Sequence, residues 1–133
     1  MIIADTNLIG YLLVEGPFTS QAEKILQKEP EWAAPALWRS ELSSVLSVYV
    51  RNGSLTLAGA EAHFHRAVRL VYPEIEVDHV EVLRLSHATG CSTYDCEFAW
   101  AARKAGVKLV TNDKKLLVAF PGLATSLQNF AAS

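Results

Sequence analysis

The chain has 133 residues, half of them hydrophobic, and a formal net charge of −2. Residues 1–133 read as a single domain, large enough to bury about two-thirds of the surface its unfolded chain exposes, and the apolar content excludes a disordered chain. The mild acidity argues against a general nucleic-acid binder coated in positive charge, but not against an enzyme that meets phosphates through a local basic rim.

No apolar stretch approaches the ~18 residues of a membrane span. Met1-Ile2-Ile3-Ala4-Asp5 opens without a basic segment or cleavage signal, so the expected location is cytoplasmic. Cys91 and Cys96 are too few and too close for a disulfide framework, and they lack the partners of a zinc site.

Ile2–Asp5 reads as a first strand. Ser20-x-x-Glu23 predicts a capping box for a helix running to about Glu29, with Pro30 as its stop. Trp32–Ala34 is a short strand, and Pro35 precedes a longer helix from Ala36 to about Arg51, ended by Asn52-Gly53. A second long helix spans about Leu57 to Val71, and Ile75–Val77 is a third strand candidate. Asp78-x-x-Glu81 predicts another capping box, for a helix ending at Gly90. Ser92 or Thr93 caps the next helix, to Ala105. Val107–Thr111 is the clearest strand; a short helix from about Lys114 to Phe120 and a final strand, Leu123–Ser126, complete the chain. Strands separated by helices pair in parallel through right-handed crossovers. The expected fold is therefore a three-layer α/β/α sandwich around a parallel sheet of four to five strands.

In such sheets, ligands bind beyond the C-terminal strand ends. Asp5 ends the first strand and Asp113 follows Val107–Thr111. Asp95 lies in the first turn of its helix and Glu41 about one turn into the helix after Trp32–Ala34. Topology thus brings four acids to one rim. Two such charges about 4 Å apart repel by roughly 4 kcal/mol at an effective dielectric near 20. A hard divalent cation offsets that repulsion, and Mg²⁺ needs only a few carboxylates because it retains waters. A bound ion can activate water and stabilise charge on a phosphate, so phosphodiester hydrolysis is the natural reaction. Singly, the acids have plainer roles: Asp5 at a turn, Asp95 on a helix dipole, Asp113 as a cap. Glu41 is harder to dismiss, because it borders the apolar stripe of Trp38, Leu42, Val45, Leu46 and Tyr49.

His63 and His65 are two apart on a helix and cannot share a metal. His79 and His87, at a helix start and end, read as surface or capping residues. Trp32, Trp38 and Trp100 read as core. Among the cations, Arg39 precedes Glu41 by two residues, and Lys114 and Lys115 directly follow Asp113. Together with Arg103, Lys104 and Lys108 they form either a basic rim for an RNA backbone or an ordinary solvated surface.

Ile2-Ile3-Ala4-Asp5-Thr6-Asn7, Tyr94-Asp95-Cys96-Glu97-Phe98 and Leu109-Val110-Thr111-Asn112-Asp113 resemble the three signature stretches of the PIN domain, and Glu41 falls where that family carries a helical acid. Their order and spacing over the whole chain resemble VapC-type toxins of toxin–antitoxin pairs. The resemblance implies an endoribonuclease dependent on Mg²⁺ or Mn²⁺. Asp5, Asp95 and Asp113 would hold the metal directly or through water, and Glu41 would complete the shell or help activate water. It also implies that Thr6, Asn7, Thr111 and Asn112 orient the acids by hydrogen bonds. A homodimer and a cognate antitoxin peptide over the acidic pocket are the implied partners. Two alternatives are a non-catalytic PIN-like module binding RNA or protein, and a metal-dependent phosphatase, whose further acid or lysine partners the sequence does not supply.

Overall fold

Short runs that are apolar on both sides become the strands of a sheet covered on both faces. In the computed structural model, which describes residues 1–133, these are β1 (Ile2–Ala4), β2 (Trp32–Pro35), β3 (Val71–Ile75), β4 (Leu109–Val110) and β5 (Ala124–Thr125). β1 and β2 are buried at every residue, as expected of strands with helices on both faces. All pairings are parallel and the order is β3-β2-β1-β4-β5. The expected α/β/α sandwich is the fold observed.

The helices are α1 (Thr6–Leu13), α2 (Thr19–Lys28), α3 (Leu37–Arg51), α4 (Leu57–Leu70), α5 (His79–Thr89), α6 (Thr93–Ala105), α7 (Lys114–Ala119) and α8 (Leu127–Ala132). The chain steps outward from β1 to β2 to β3, then returns across β1 to β4 and β5. Right-handed crossovers in opposite directions put helices on opposite faces. Accordingly α1 packs on α2 and α3, with α4 beside α3, while α6 lies across β1, β2 and β4 with α5 against it. Ile2, Ile3, Leu8, Ile9, Trp32, Trp38, Leu42, Leu109 and Leu127 are fully buried in one apolar cluster. The direction change between β1 and β4 makes a crevice at their C-terminal ends.

The departures from expectation have local causes. The Ser20–Glu23 capping box does not form, because α2 starts at Thr19 and has no side-chain cap. The buried Thr19 hydroxyl instead donates to the Tyr11 carbonyl and accepts from Gly16 N–H, tying down the turn before the helix. β3 starts four residues before the expected Ile75–Val77 and ends at Ile75. It contains Pro73, tolerable because β3 is an edge strand whose ladder to β2 is irregular. The second box is half made: Asp78 caps α5 through Val80 and Glu81 N–H, but the Glu81 carboxylate accepts from Trp100 Nε1 at 2.6 Å. Helices α1 and α8 are additions to the expected set.

Gly90 and Gly106 end α5 and α6 in the left-handed region, with φ of 78° and 70°. A Cβ on Gly90 would meet nothing within 4 Å. Gly90→Ala is therefore a purely conformational change and costs about 1 kcal/mol in urea denaturation.

Candidate active site

The crevice is lined where four elements meet. Asp5 ends β1 and caps α1, its Oδ1 accepting from Leu8 N–H at 2.8 Å. Its Oδ2 accepts from the Thr111 hydroxyl. The same Thr111 Oγ1 accepts from the Asp113 N–H at 3.0 Å, so one fully buried hydroxyl links the first and last acids. Asp113 caps α7 through Oδ1 and Leu116 N–H. Its expected capping role is real, and it coexists with a place in the crevice lining.

α3 supplies Glu41, Ser44, Val45 and Val48 to the same cleft, a spacing that puts all four on one helical face. The buried stripe is Trp38, Leu42 and Leu46, whereas Val45 and Tyr49 are only half-buried. Glu41 Oε1 accepts from the Thr6 hydroxyl at 2.7 Å. α6, capped by Ser92 through the Asp95 N–H, contributes Asp95 and Phe98. The cleft holds about 330 Å³ and has Asp5, Glu41, Asp95 and Asp113 in its wall. All four expected acids are brought together.

Electrostatics bear the mark of crowding. Burial pushes the Asp5 carboxyl up to about 6; the bonds from Thr111 and Leu8 oppose this, and Asp113 and Glu41 add to it. Glu41 is raised by burial, with Asp95 and Glu97 adding to it against the Thr6 bond. Asp95 is raised by burial and by Asp113, with Lys115 pulling the other way. Such carboxylates favour either a proton or a cation. No three of these side chains, as they stand, converge closely enough to ligate one ion together. The acid-only donor set still suits a hard ion that keeps its waters, with at most two carboxylates contacting it directly.

The other expected site residues divide. Thr6 and Thr111 each donate a hydrogen bond to an acid, Glu41 and Asp5 respectively. Asn7 is exposed and lines the cleft. Asn112 Oδ1 accepts from Leu127 N–H at 3.1 Å, so it anchors the start of α8 rather than an acid. Arg39 is paired with Glu74 of β3 through both Nε and Nη2 and lies over the Trp38 ring, which takes it out of the expected basic rim. Lys114 and Lys115 are exposed on α7.

Glu97, two residues beyond Asp95 and so about 200° around the helix, is not among the expected site residues. Its charge nevertheless reaches Glu41, and burial raises its own carboxyl. Only its place inside the Tyr94–Phe98 segment marks it in the sequence.

The family model for the PIN domain matches residues 2–120. The chain belongs to the PIN domain family. Its four acids thus line one cleft of a PIN fold. Over 131 residues the chain is 29% identical to Ribonuclease VapC3 of Pyrobaculum aerophilum, an alignment covering 93% of this chain and 98% of that relative. The crystal structure of PAE2754 from Pyrobaculum aerophilum matches this PIN fold with a TM-score of 0.80 at 23% identity, over 98% of this chain and 93% of that one. VapBC2 from Rickettsia felis, solved bound to a DNA fragment from its promoter, matches with a TM-score of 0.67 at 18% identity, over 95% and 98% of the two chains. At these identities the two structures establish the fold alone.

Proposed function

We propose that this PIN domain is a divalent-metal-dependent endoribonuclease of the VapC type, the toxin of a toxin–antitoxin pair. The observation that carries the reading is the single cleft walled by Asp5, Glu41, Asp95 and Asp113. The full-length likeness to a ribonuclease supports the RNA substrate. No lysine lines the cleft, which disfavours the phosphatase alternative. A binding module gains nothing from four mutually repelling carboxylates.

Asp5, Asp95 and Asp113 would hold Mg²⁺ or Mn²⁺, some of them through water. When bound, the ion supplies a polarised water and offsets charge on the scissile phosphate. The protein's own part is positional. Thr111 fixes the Asp5 carboxylate against the Asp113 backbone, and Leu8 N–H fixes its other oxygen. Thr6 occupies Glu41 Oε1, which leaves Oε2 to accept the proton from the attacking water. A carboxylate raised above its ordinary value is the better base for that step. The exposed ammonium groups of Lys114 and Lys115 attract the RNA backbone towards the acids.

The antitoxin would cover this cleft and reach the apolar groove on the other side of α3, a space of about 360 Å³ that includes Leu46, Val50, Leu57 and Phe64. Exposed Val80 and Leu83 of α5 offer apolar surface for the homodimer implied by the resemblance. No helix is long and apolar enough to cross a membrane, and a toxin acting on cellular RNA belongs in the cytoplasm.

The test is cleavage of RNA by the purified chain with Mg²⁺ or Mn²⁺, against the same reaction in EDTA. We expect internal cuts that need metal and disappear in Glu41→Gln. Cuts that persist in EDTA, or in Glu41→Gln at the wild-type rate, would overturn the assignment.

A further inference from the structure

A second pocket opens beside the acidic cleft and shares Asn7 and Val45 with it. It lies between α1, the turn at Val14–Phe18 and α3, and holds about 230 Å³. That is smaller than the roughly 300–1,000 Å³ of pockets for whole drug-sized ligands. It suits one planar ring system.

The lining has the character of a base site. Tyr11, Phe18 and Tyr49 all face it, and the Tyr11 and Phe18 rings lie 4.8 Å apart at 38°. Phe18 is 40% exposed, which leaves part of its ring open to a ligand. Burial raises the Tyr11 hydroxyl and the charges of Asp5 and Tyr49 add to it, so it lies within electrostatic reach of the acidic cleft. At the rim stand the Asn7 amide and the Glu15 carboxylate. Aromatic faces accept any nucleobase, while a carboxylate only accepts hydrogen bonds and so favours a base whose amino group adds donors, over uracil with its single N3–H.

We propose that this pocket receives the nucleobase next to the scissile phosphate, stacked on Phe18 and Tyr11 and held at its edge by Glu15. The inference rests on the nuclease reading and adds to it a sequence preference: a nucleotide with an amino-bearing base at one position beside the cut, with uridine disfavoured. Continuity with the cleft makes a nucleotide the occupant, because a phosphate among the acids places its neighbouring base within the adjoining space. Val45 and Asn7 form the shared wall between the two.

The experiment sequences the cut ends from a randomised single-stranded RNA pool treated with Mn²⁺. It compares wild type, Phe18→Ala and Glu15→Gln, with metal-induced thermal shifts recorded in parallel. Wild type is expected to disfavour uridine at one position beside the cut. Phe18→Ala should lower kcat/KM about 5- to 100-fold by loss of stacking, mainly through KM, and retain the metal shift. Glu15→Gln, whose amide also donates, should admit uridine. If wild type cuts while both variants keep its base preference and KM, the base site is overturned and the nuclease reading stands. An antitoxin-type peptide site would give that result. If wild type neither cuts nor shifts with metal, the nuclease reading fails and takes the base site with it.

Discussion

Asp5→Asn is expected to lower RNA cleavage by about 10³-fold or more. Losing one ligand of the ion forfeits several kcal/mol of transition-state stabilisation, at 1.36 kcal/mol per tenfold. The same change should stabilise the metal-free protein at neutral pH. The Asp5 carboxyl ionises at about 6 in the folded chain, against an ordinary 3.8. Between those values the folded state holds a proton that the unfolded state has released. Stability therefore rises as pH falls from about 7 towards 4, and above pH 6 the buried charge costs roughly 3 kcal/mol. Glu41, Asp95 and Glu97 are raised too and contribute with the same sign. Asn keeps an oxygen for the Leu8 N–H and carries no charge. Urea denaturation in EDTA at about pH 5 and 7.5 checks this. Wild type should be the more stable at the lower pH, and Asp5→Asn should show a smaller difference. A wild type that loses stability on acidification over this range would contradict the assigned environment of Asp5.

Thr111→Val should damage both stability and catalysis. Valine preserves the shape of a side chain with no exposed surface, so packing is held nearly constant. It removes the donor to Asp5 Oδ2 and the acceptor of the Asp113 N–H. Leaving buried polar groups unpaired costs about 1–3 kcal/mol. Loss of an outer hydrogen bond to a metal ligand typically costs about 10- to 100-fold in metal affinity or activity. Thr111→Ser retains the hydroxyl and should recover most of both. Urea denaturation and kcat/KM at saturating Mn²⁺ separate the two effects. A Val variant with wild-type turnover would mean that Asp5 and Asp113 need no common anchor.

The site was legible because its acids end regular elements. Asp5 follows an all-apolar strand and Asp113 follows Leu109–Val110, so the parallel topology alone puts them on one edge. Asp95 and Glu41 could be placed because each lies near the start of a helix that begins at that same edge. The hydrogen-bond network was less legible, since neighbours in sequence need not face the same way. Thr111 reaches back to Asp5 across the β1–β4 pairing, while Asn112 turns to α8. Arg39 was read as free because Glu74, its partner, lies 35 residues away on an edge strand whose position the sequence misplaced. α1 was overlooked because its opening cap is Asp5 itself, a residue already assigned to the end of a strand. β3, third in the chain, escapes a sequence reading because Pro73 normally marks a break, and only its edge position makes it acceptable.

The central claim is that the four acids, two of which also cap helices, together form a metal-binding cluster. It is tested most directly by thermal melts of wild type and Asp95→Asn, in EDTA and in millimolar Mg²⁺ or Mn²⁺, which require no knowledge of the RNA. An ion that binds only the folded chain must raise its stability, by about 2.7 kcal/mol at a concentration 100-fold above Kd. We predict that metal raises the melting temperature of wild type. Asp95→Asn should match or exceed wild type in EDTA and gain little from metal. If metal leaves wild type unchanged and Asp95→Asn is merely less stable, Asp95 serves only the helix dipole of α6, and the catalytic account is wrong.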